Sequence, residues 1–194
     1  MIAIIDYKMG NLRSVENALK RLGAEFVVTA EADVIKRADK VLLPGVGNAA
    51  EAMENLRQAN LVEVIRSLRR PVLGICVGMQ VMCRHSEEGD AKCLGIFDAK
   101  VRRFEPTAEE KVPHMGWNSI GNLESKLFKG INGGEMVYFV HSYYPELCPD
   151  TIATTHHGVM FSAALKYENF YGTQFHPEKS GDVGERIIAN FLKL

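Results

Sequence analysis

Three side chains in this sequence, Cys76, His176 and Glu178, have the types needed for nucleophilic catalysis. A thiolate is a strong nucleophile, an imidazole accepts and returns a proton, and a carboxylate orients the imidazole and stabilises its protonated form. His176 precedes Pro177, which biases it toward an extended conformation. Because residues two apart in extended chain point the same way, the imidazole and the Glu178 carboxylate are predicted to face one another.

Cys76 lies in the segment Gly-Ile-Cys-Val-Gly, directly after a short apolar run that begins at Val72. This pattern predicts a buried strand, a sharp turn with the cysteine standing at its apex, and a following helix. Glycines two residues before and after the cysteine allow the turn to approach the neighbouring backbone closely. The start of the helix would favour the thiolate form of Cys76, since a thiol ordinarily has a pKa of about 8.5. The alternative is a buried structural cysteine beside two packing glycines.

A glycine-rich tetrapeptide, Pro44-Gly45-Val46-Gly47, follows a predicted strand over 41–43. Open α/β sheets keep their binding crevice at this end of their strands. Backbone N–H groups there, together with the N–H of Val77 after the nucleophile, would form an oxyanion hole. Taken alone, the tetrapeptide is more typical of a plain glycine-rich turn.

Composition limits the kind of protein. The chain has 194 residues, which suits a single domain over 1–194, and its hydrophobic content of 46% and charged content of 24% are ordinary. A net charge of −1 gives no electrostatic case for nucleic acid or an anionic membrane, and no stretch is apolar enough for a membrane span. The N-terminus has the pattern of a first strand and not of a signal peptide. The four cysteines match neither a disulfide framework nor a zinc site, which favours a reducing cytoplasm.

Two adjacent histidines, His156 and His157, precede a glycine and are predicted to lie at a hairpin turn. A metal site there would lack a third ligand. We therefore expect no metal and no other cofactor. His141 is predicted to be a strand residue, and His85 lies among charges.

Apolar runs and helical spacing alternate through the first part of the chain, which indicates a mostly parallel sheet. Strands are predicted over 2–5, 26–29, 41–43 and 72–75, with helices over about 12–22, 49–58 and 61–69. Antiparallel hairpins are expected from 95 to 120. Further strands are predicted over 136–144, 151–155, 161–165 and 170–175, and a closing helix over 183–191.

Along nearly the whole chain, the sequence resembles the class I, triad-type, glutamine amidotransferases. Within that family it is most similar to the branch that serves imidazole glycerol phosphate synthase in histidine biosynthesis. The segments that carry the resemblance are Asp6-Tyr7 with Gly10-Asn11, Pro44-Gly45-Val46-Gly47, Gly74-Ile75-Cys76-Val77-Gly78-Met79-Gln80, Ser86-Glu87-Glu88-Gly89, Pro113-His114-Met115-Gly116-Trp117-Asn118, Tyr138-Phe139-Val140-His141-Ser142-Tyr143 and Gln174-Phe175-His176-Pro177-Glu178-Lys179-Ser180.

The resemblance implies a three-layer α/β fold, with a mixed, mostly parallel central sheet, helices on both faces and a smaller antiparallel part. It implies that Cys76 attacks the side-chain amide of L-glutamine and that His176 delivers the proton to ammonia. Val46 and Gly47 match oxyanion positions, and Val46 is where the family flips a peptide. The positions that match glutamine-holding residues are Gly45, Gly47, Gln80, Glu88, Ser142 and Tyr143.

The family branch pairs with a cyclase subunit, a (β/α)8 barrel that uses the ammonia to make imidazole glycerol phosphate and an aminoimidazole carboxamide ribonucleotide. The positions that resemble partner-facing residues are Asn11, Met115, Trp117, Asn118 and Lys179. Trp117 is the sole tryptophan, and the alternative for it is a core position. Two departures from the family pattern are Lys8, where the family often has a small residue, and Asn48-Ala49, in place of a frequent aromatic. Neither touches the triad, and both are expected to affect the partner contact or the coupling between subunits.

Three other functions fit parts of the sequence. A paralogous amidotransferase subunit would keep the same triad and feed another synthase, for instance in surface-sugar assembly. A stand-alone cysteine hydrolase would act on peptides or γ-glutamyl compounds without a partner. A binding module on the same fold would have lost the cysteine, histidine or glutamate, and all three are present.

Overall fold

The computed structural model describes residues 1–194, with thirteen strands and six α-helices. The strands are β1 (Ile2–Ile5), β2 (Phe26–Thr29), β3 (Lys40–Gly45), β4 (Val72–Cys76), β5 (His85–Ser86), β6 (Ala91–Lys92), β7 (Lys100–Arg103), β8 (His114–Ser119), β9 (Met136–His141), β10 (Tyr143–Pro145), β11 (Thr151–His157), β12 (Val159–Tyr167) and β13 (Phe170–Thr173). The helices are α1 (Leu12–Arg21), α2 (Ala32–Arg37), α3 (Ala49–Gln58), α4 (Val62–Ser67), α5 (Val77–Gln80) and α6 (Gly181–Phe191).

A seven-stranded sheet forms the centre of the fold, in the order β11-β12-β13-β4-β3-β1-β2. All pairings from β13 to β2 are parallel, whereas β11, β12 and β13 pair antiparallel. The continuous apolar runs in β1 and β4 are wholly buried, as parallel strands covered on both faces require. The predicted mixed, mostly parallel α/β sheet is confirmed.

The strand order reverses beside β1, because the chain moves from β1 to β2 on one side and then returns to β3 and β4 on the other. Right-handed crossovers in opposite directions put α1 and the α3–α4 pair on opposite faces of the sheet. The carboxyl ends of β3 and β4 therefore meet in the crevice where such sheets bind ligands. Gly45 and Cys76 lie opposite one another there.

The turn between β4 and α5 depends on a close approach of backbones. A Cβ atom on Gly78 would lie 1.8 Å from the carbonyl oxygen of Leu43 in β3, and one on Gly74 would lie 2.7 Å from the Gly78 oxygen. No side chain fits at either place, as the flanking glycines predicted. These contacts hold the apex of the turn directly against the end of β3.

The predicted helix after this turn is present as α5, which is only one turn long. The helix does not continue, because the carbonyl groups that follow it bond to a distant segment of the chain. The carbonyl oxygens of Val81, Met82 and Cys83 accept hydrogen bonds from the backbone of residues 94–97. A four-residue helix provides little dipole, so Cys76 gains less from this source than the sequence suggested.

Two small sheets lie beside the large one, in the orders β10-β7-β5-β6 and β8-β9. The prediction of hairpins over 95–120 was wrong in its pairing, because β7 and β8 belong to different sheets. The single strand predicted over 136–144 is divided into β9 and β10. The chain bends at Ser142, where the Nδ1 atom of His141 donates a hydrogen bond to the carbonyl oxygen of Tyr143, 2.7 Å away.

Buried histidines fill the space between the β8–β9 pair and the large sheet. His114 stacks on Phe139 and His141 contacts Phe161 of β12 edge to face. Burial lowers the pKa of His114 to about 4 and that of His141 to about 3. Both rings are therefore neutral near pH 7. The predicted turn after His157 is confirmed, with Gly158 at φ 67°.

We predict that Gly78→Ala destabilises the fold by about 3 kcal/mol, because the new methyl group forces β3 away from the turn. For a chain of this length the melting temperature should fall by roughly 6–12 °C. Gly121→Ala is the matched control, since a Cβ there meets nothing within 4 Å. Equal melting temperatures for the two variants in thermal unfolding would show that the close approach does not constrain the turn.

We also predict that the free energy of unfolding decreases as pH falls below about 6.5, the unfolded pKa of histidine. The folded pKa values of His114 and His141 lie below that value, so the unfolded state binds more protons in this range. His114 and His141 each contribute a loss of up to about 1.4 kcal/mol per pH unit. The loss continues as pH falls toward the folded values.

Urea unfolding between about pH 7 and about pH 5 measures this slope. His141→Asn removes one of the two titrating groups and should make the slope smaller. A slope that His141→Asn does not alter would refute the assignment.

Candidate active site

A cavity of about 310 Å³ opens at the carboxyl ends of β3 and β4. Most of the residues that the sequence singled out for chemistry line it together. They are Val46, Gly47, Cys76, Val77, Gln80, Glu88, Ser142, Tyr143 and His176. Gly45 lies beneath the cavity, where a Cβ atom would come within 2.6 Å of the backbone nitrogen of Gly78. Glu178 lies behind His176.

Cys76 is held in a backbone conformation that few side chains adopt, with φ 55° and ψ −113°. Such a conformation costs about 1–3 kcal/mol and persists only where surrounding contacts impose it. The sequence predicted that the thiol stands proud of the sheet, but only 3% of the residue is exposed. The sulfur lies 3.9 Å from the carbonyl oxygen of Val140 and 3.7 Å from Nε2 of Gln174. Val140 of β9 and Gln174 therefore cover the sulfur, and access to it remains through the cavity.

His176 is paired with Glu178 at 2.8 Å, between the Nδ1 and Oε1 atoms, and both side chains are 2% exposed. The other ring nitrogen, Nε2, has no hydrogen-bond partner. Burial by itself lowers the pKa of His176, but the interactions with Cys76 and Glu178 outweigh it and raise the pKa above the ordinary value of an imidazole. The direction of this shift favours the imidazolium form of His176.

The main chain of His176 is fixed to β9. Its N–H donates to the carbonyl oxygen of Tyr138 at 2.9 Å. The Ser180 hydroxyl donates to the carbonyl oxygen of His176 at 2.6 Å and accepts from the N–H of Tyr138 at 2.9 Å. The position of the imidazole therefore depends on the position of β9.

The residues that the sequence proposed for an oxyanion hole converge on the cavity from two strands. Val46 and Gly47 follow β3, and Gly47 has φ 96°, a conformation suited to glycine. Val77 follows Cys76 at the start of α5 and is buried. Val46 is 37% exposed, so the part of the cavity wall that follows β3 faces solvent.

Two polar side chains that line the cavity, Gln80 and Glu88, have distinct partners. The Gln80 amide donates to the carbonyl oxygen of Tyr143 and to Oε1 of Gln174, both at 2.9 Å. The Glu88 carboxylate accepts from the N–H of Ala49 at 2.8 Å. Burial raises the pKa of Glu88, and this hydrogen bond opposes the rise.

The expected partner-facing residues are not all on one surface. Met115 and Trp117 of β8 are 63% and 54% exposed, which excludes a core position for Trp117. Asn118 lies on the inner side, where its amide donates to the carbonyl oxygen of His156. Asn11 caps α1 by accepting from Ser14.

Lys179 ends the short turn that carries Glu178. The two departures from the family pattern have local roles. Lys8 adopts φ 65° and its N–H donates to the Asp6 carboxylate. Asn48 caps α3 by accepting from the N–H groups of Ala50 and Glu51. Its neighbour Ala49 supplies the N–H that binds Glu88.

Two groups near the nucleophile were not singled out from the sequence. Gln174 contacts both Cys76 and Gln80, and His141 lines the cavity and binds Tyr143. Gln174 stands two residues before His176, and this spacing in extended chain was the available signal. No such signal marks His141, which the sequence placed in a strand.

No cluster of three or more His, Cys, Asp or Glu side chains in the chain has the geometry to hold a metal ion. None of the helices combines the length and the apolar composition that crossing a membrane requires.

A family model described as glutamine amidotransferase class-I matches residues 3–194. Imidazole glycerol phosphate synthase subunit HisH of Bacteroides thetaiotaomicron is 57% identical over 194 residues, which cover 100% of this chain and 99% of that protein. The HisH subunit of Yersinia pseudotuberculosis is 46% identical over 195 residues, with coverage of 100% and 99%.

A crystal structure of a glutamine amidotransferase has the same fold, with a TM-score of 0.75 at 19% identity over 100% of this chain and 98% of that one. The sheet topology, the turn at Cys76 and these similarities agree. This chain belongs to the class-I glutamine amidotransferase family.

Proposed function

We propose that this chain is the glutaminase subunit of an imidazole glycerol phosphate synthase. It hydrolyses L-glutamine to glutamate and ammonia, and it delivers the ammonia to a cyclase subunit that makes imidazole glycerol phosphate and aminoimidazole carboxamide ribonucleotide. The observation that carries the proposal is the cavity that Cys76 and His176 share, with His176 paired to a buried Glu178. The full-length identity to HisH subunits favours this synthase over a surface-sugar synthase.

In the first half of the reaction, the Cys76 thiolate attacks the side-chain amide carbon of glutamine. The carbonyl π electrons move to oxygen, and backbone N–H groups of Val46, Gly47 and Val77 are the candidates to bind that oxyanion. His176 then donates its proton to the amide nitrogen, which leaves as ammonia while a thioester forms on the sulfur. Glu178 holds the ring with Nε2 toward the sulfur and stabilises the imidazolium.

In the second half, His176 accepts a proton from water, and the oxygen attacks the thioester carbon. The C–S bond breaks, glutamate leaves, and the thiolate is restored. Glu88 and the backbone of Ser142 and Tyr143 are the candidates to bind the amino-acid end of the substrate. One carboxylate oxygen of Glu88 accepts from the N–H of Ala49, and the other oxygen is available to bind the ammonium group of the substrate.

The outer face of the β8–β9 pair supports a partner subunit and argues against a stand-alone hydrolase. Trp117 and Tyr138 are cross-strand neighbours, as are Met115 and Val140, and Met136 is 45% exposed on the same side. An exposed apolar patch with a tryptophan at its centre is typical of a protein interface. We propose that the barrel cyclase binds this face in a heterodimer.

We place this enzyme in the cytoplasm. All four cysteines are free, and Cys76 must remain reduced to act as a nucleophile. A reducing compartment satisfies this requirement.

We predict that Cys76→Ser lowers glutamine-dependent synthesis by roughly 10⁴- to 10⁶-fold, because the hydroxyl is a far weaker nucleophile in this geometry. Ammonia release and imidazole glycerol phosphate formation are measured in the complex with the cyclase. External ammonium should restore synthesis, since the partner remains bound. Cys148→Ser is the control and should retain activity, because that thiol lies outside the cavity. Failure of ammonium to restore synthesis would refute the division of labour between subunits.

We predict that Trp117→Ala raises the dissociation constant for the cyclase by about 30-fold or more, as expected when a central interface tryptophan is truncated. Titration calorimetry measures the affinity. Tyr167→Ala is the matched control, because Tyr167 is 47% exposed and pairs with Phe170, which lies beside Val72 at the amino end of β4, away from the active-site end. Equal losses in the two variants would place the cyclase elsewhere.

A further inference from the structure

A chain of hydrogen bonds runs beneath the β8–β9 pair toward the cavity. The amide nitrogen of Asn118 lies 3.2 Å from Nε2 of His114. Nδ1 of His114 lies 2.9 Å from Nε2 of His141, and Nδ1 of His141 lies 2.7 Å from the carbonyl oxygen of Tyr143. Both imidazoles are buried, at 5% and 7% exposure.

The direction of every bond in this chain follows from its last acceptor. A carbonyl oxygen only accepts, so His141 carries its proton on Nδ1. Nε2 of a neutral His141 is then an acceptor, which requires His114 also to carry its proton on Nδ1. Nε2 of His114 in turn accepts from the Asn118 amide, whose second N–H donates to the His156 carbonyl oxygen at 2.9 Å. Burial keeps both rings neutral near pH 7, in agreement with this pattern.

The Tyr143 carbonyl oxygen accepts two hydrogen bonds and has no lone pair left. One comes from His141 at 2.7 Å and the other from Gln80 at 2.9 Å. Gln80 also donates to Gln174, whose amide nitrogen lies 3.7 Å from the Cys76 sulfur. The peptide that follows Tyr143 is thus held from both sides, at the wall of the cavity where Ser142 and Tyr143 lie.

We infer that His114 and His141, both in the Nδ1–H form, are positioning residues for the glutaminase reaction. They hold the Tyr143 carbonyl so that the wall of the cavity and the Gln80–Gln174 pair keep the arrangement that receives glutamine beside Cys76. Neither histidine touches the reacting atoms. The assignment rests on the proposed function, since the substrate at this wall is the glutamine proposed above.

The protonation pattern is tested first, because it needs no activity. Long-range ¹⁵N–¹H correlation spectra of the labelled full chain near neutral pH distinguish protonated from unprotonated ring nitrogens. His141→Asn and His114→Asn assign the signals. We expect Nδ1–H and bare Nε2 for both rings. An Nε2–H form of either ring would overturn the inference, whatever the glutaminase activity.

A pair of substitutions at His141 then separates positioning from packing. His141→Asn keeps an N–H donor where Nδ1 was, whereas His141→Leu fills the apolar surroundings and donates nothing. If His141 acts by positioning, His141→Leu should raise KM for glutamine by about tenfold or more, because the hydrogen bond to the Tyr143 carbonyl oxygen is lost. His141→Asn, which keeps that bond, should stay within about threefold of the wild type. A packing role predicts the reverse order, because leucine suits the phenylalanine surroundings better.

The assay uses ammonia release from glutamine in the complex with the loaded cyclase, with melting curves for each variant. His85→Asn is the control for loss of a histidine that does not line the cavity. Equal KM values for Leu and Asn, or a larger effect of Asn, would overturn the inference. A wild-type complex that releases no ammonia would instead refute the proposed function, and the ring-nitrogen spectra would still decide the arrangement of the histidines.

Discussion

The close contact between Gly78 and the Leu43 carbonyl oxygen fixes the turn that carries the nucleophile. It presses the turn after β4 against the end of β3, in a register that sets Gly45 opposite Cys76. With the backbones so close, Cys76 is left in its strained conformation with the side chain directed into the cavity. The strain is maintained by the packing of two buried parallel strands, β3 and β4.

A single strand, β9, connects three parts of the site that are distant in sequence. Its Tyr138 backbone binds the main chain of His176, its Val140 carbonyl lies over the Cys76 sulfur, and its last residue, His141, holds Tyr143. The same strand forms part of the exposed apolar face. A small displacement of β9 would therefore move its contacts with the nucleophile, the base and the substrate wall together. A partner bound to the outer face of β9 could in this way affect all three groups.

The sequence predicted those parts of the structure that local patterns determine. Apolar runs fixed the strands of the parallel sheet, and the glycines around Cys76 required backbone contacts that the structure contains. The features that local patterns did not predict depend on tertiary pairing. The one-turn length of α5 reflects carbonyl groups bonded to residues 94–97, and the burial of Cys76 comes from Val140 of β9 and from Gln174. The histidine pair gave no local signal, because its order arises only when β8 and β9 align.

The two faces of the β8–β9 pair also bear on how reliably the chain folds. Alternate residues of β8 point outward as Met115 and Trp117 and inward as His114 and Asn118. A slip of one residue in the pairing with β9 would exchange these sets, exposing the inward groups and driving the large apolar side chains into a layer that needs polar partners. A misaligned pair would lose the whole internal chain of hydrogen bonds at once, so this chain favours the register in which the apolar side chains face outward.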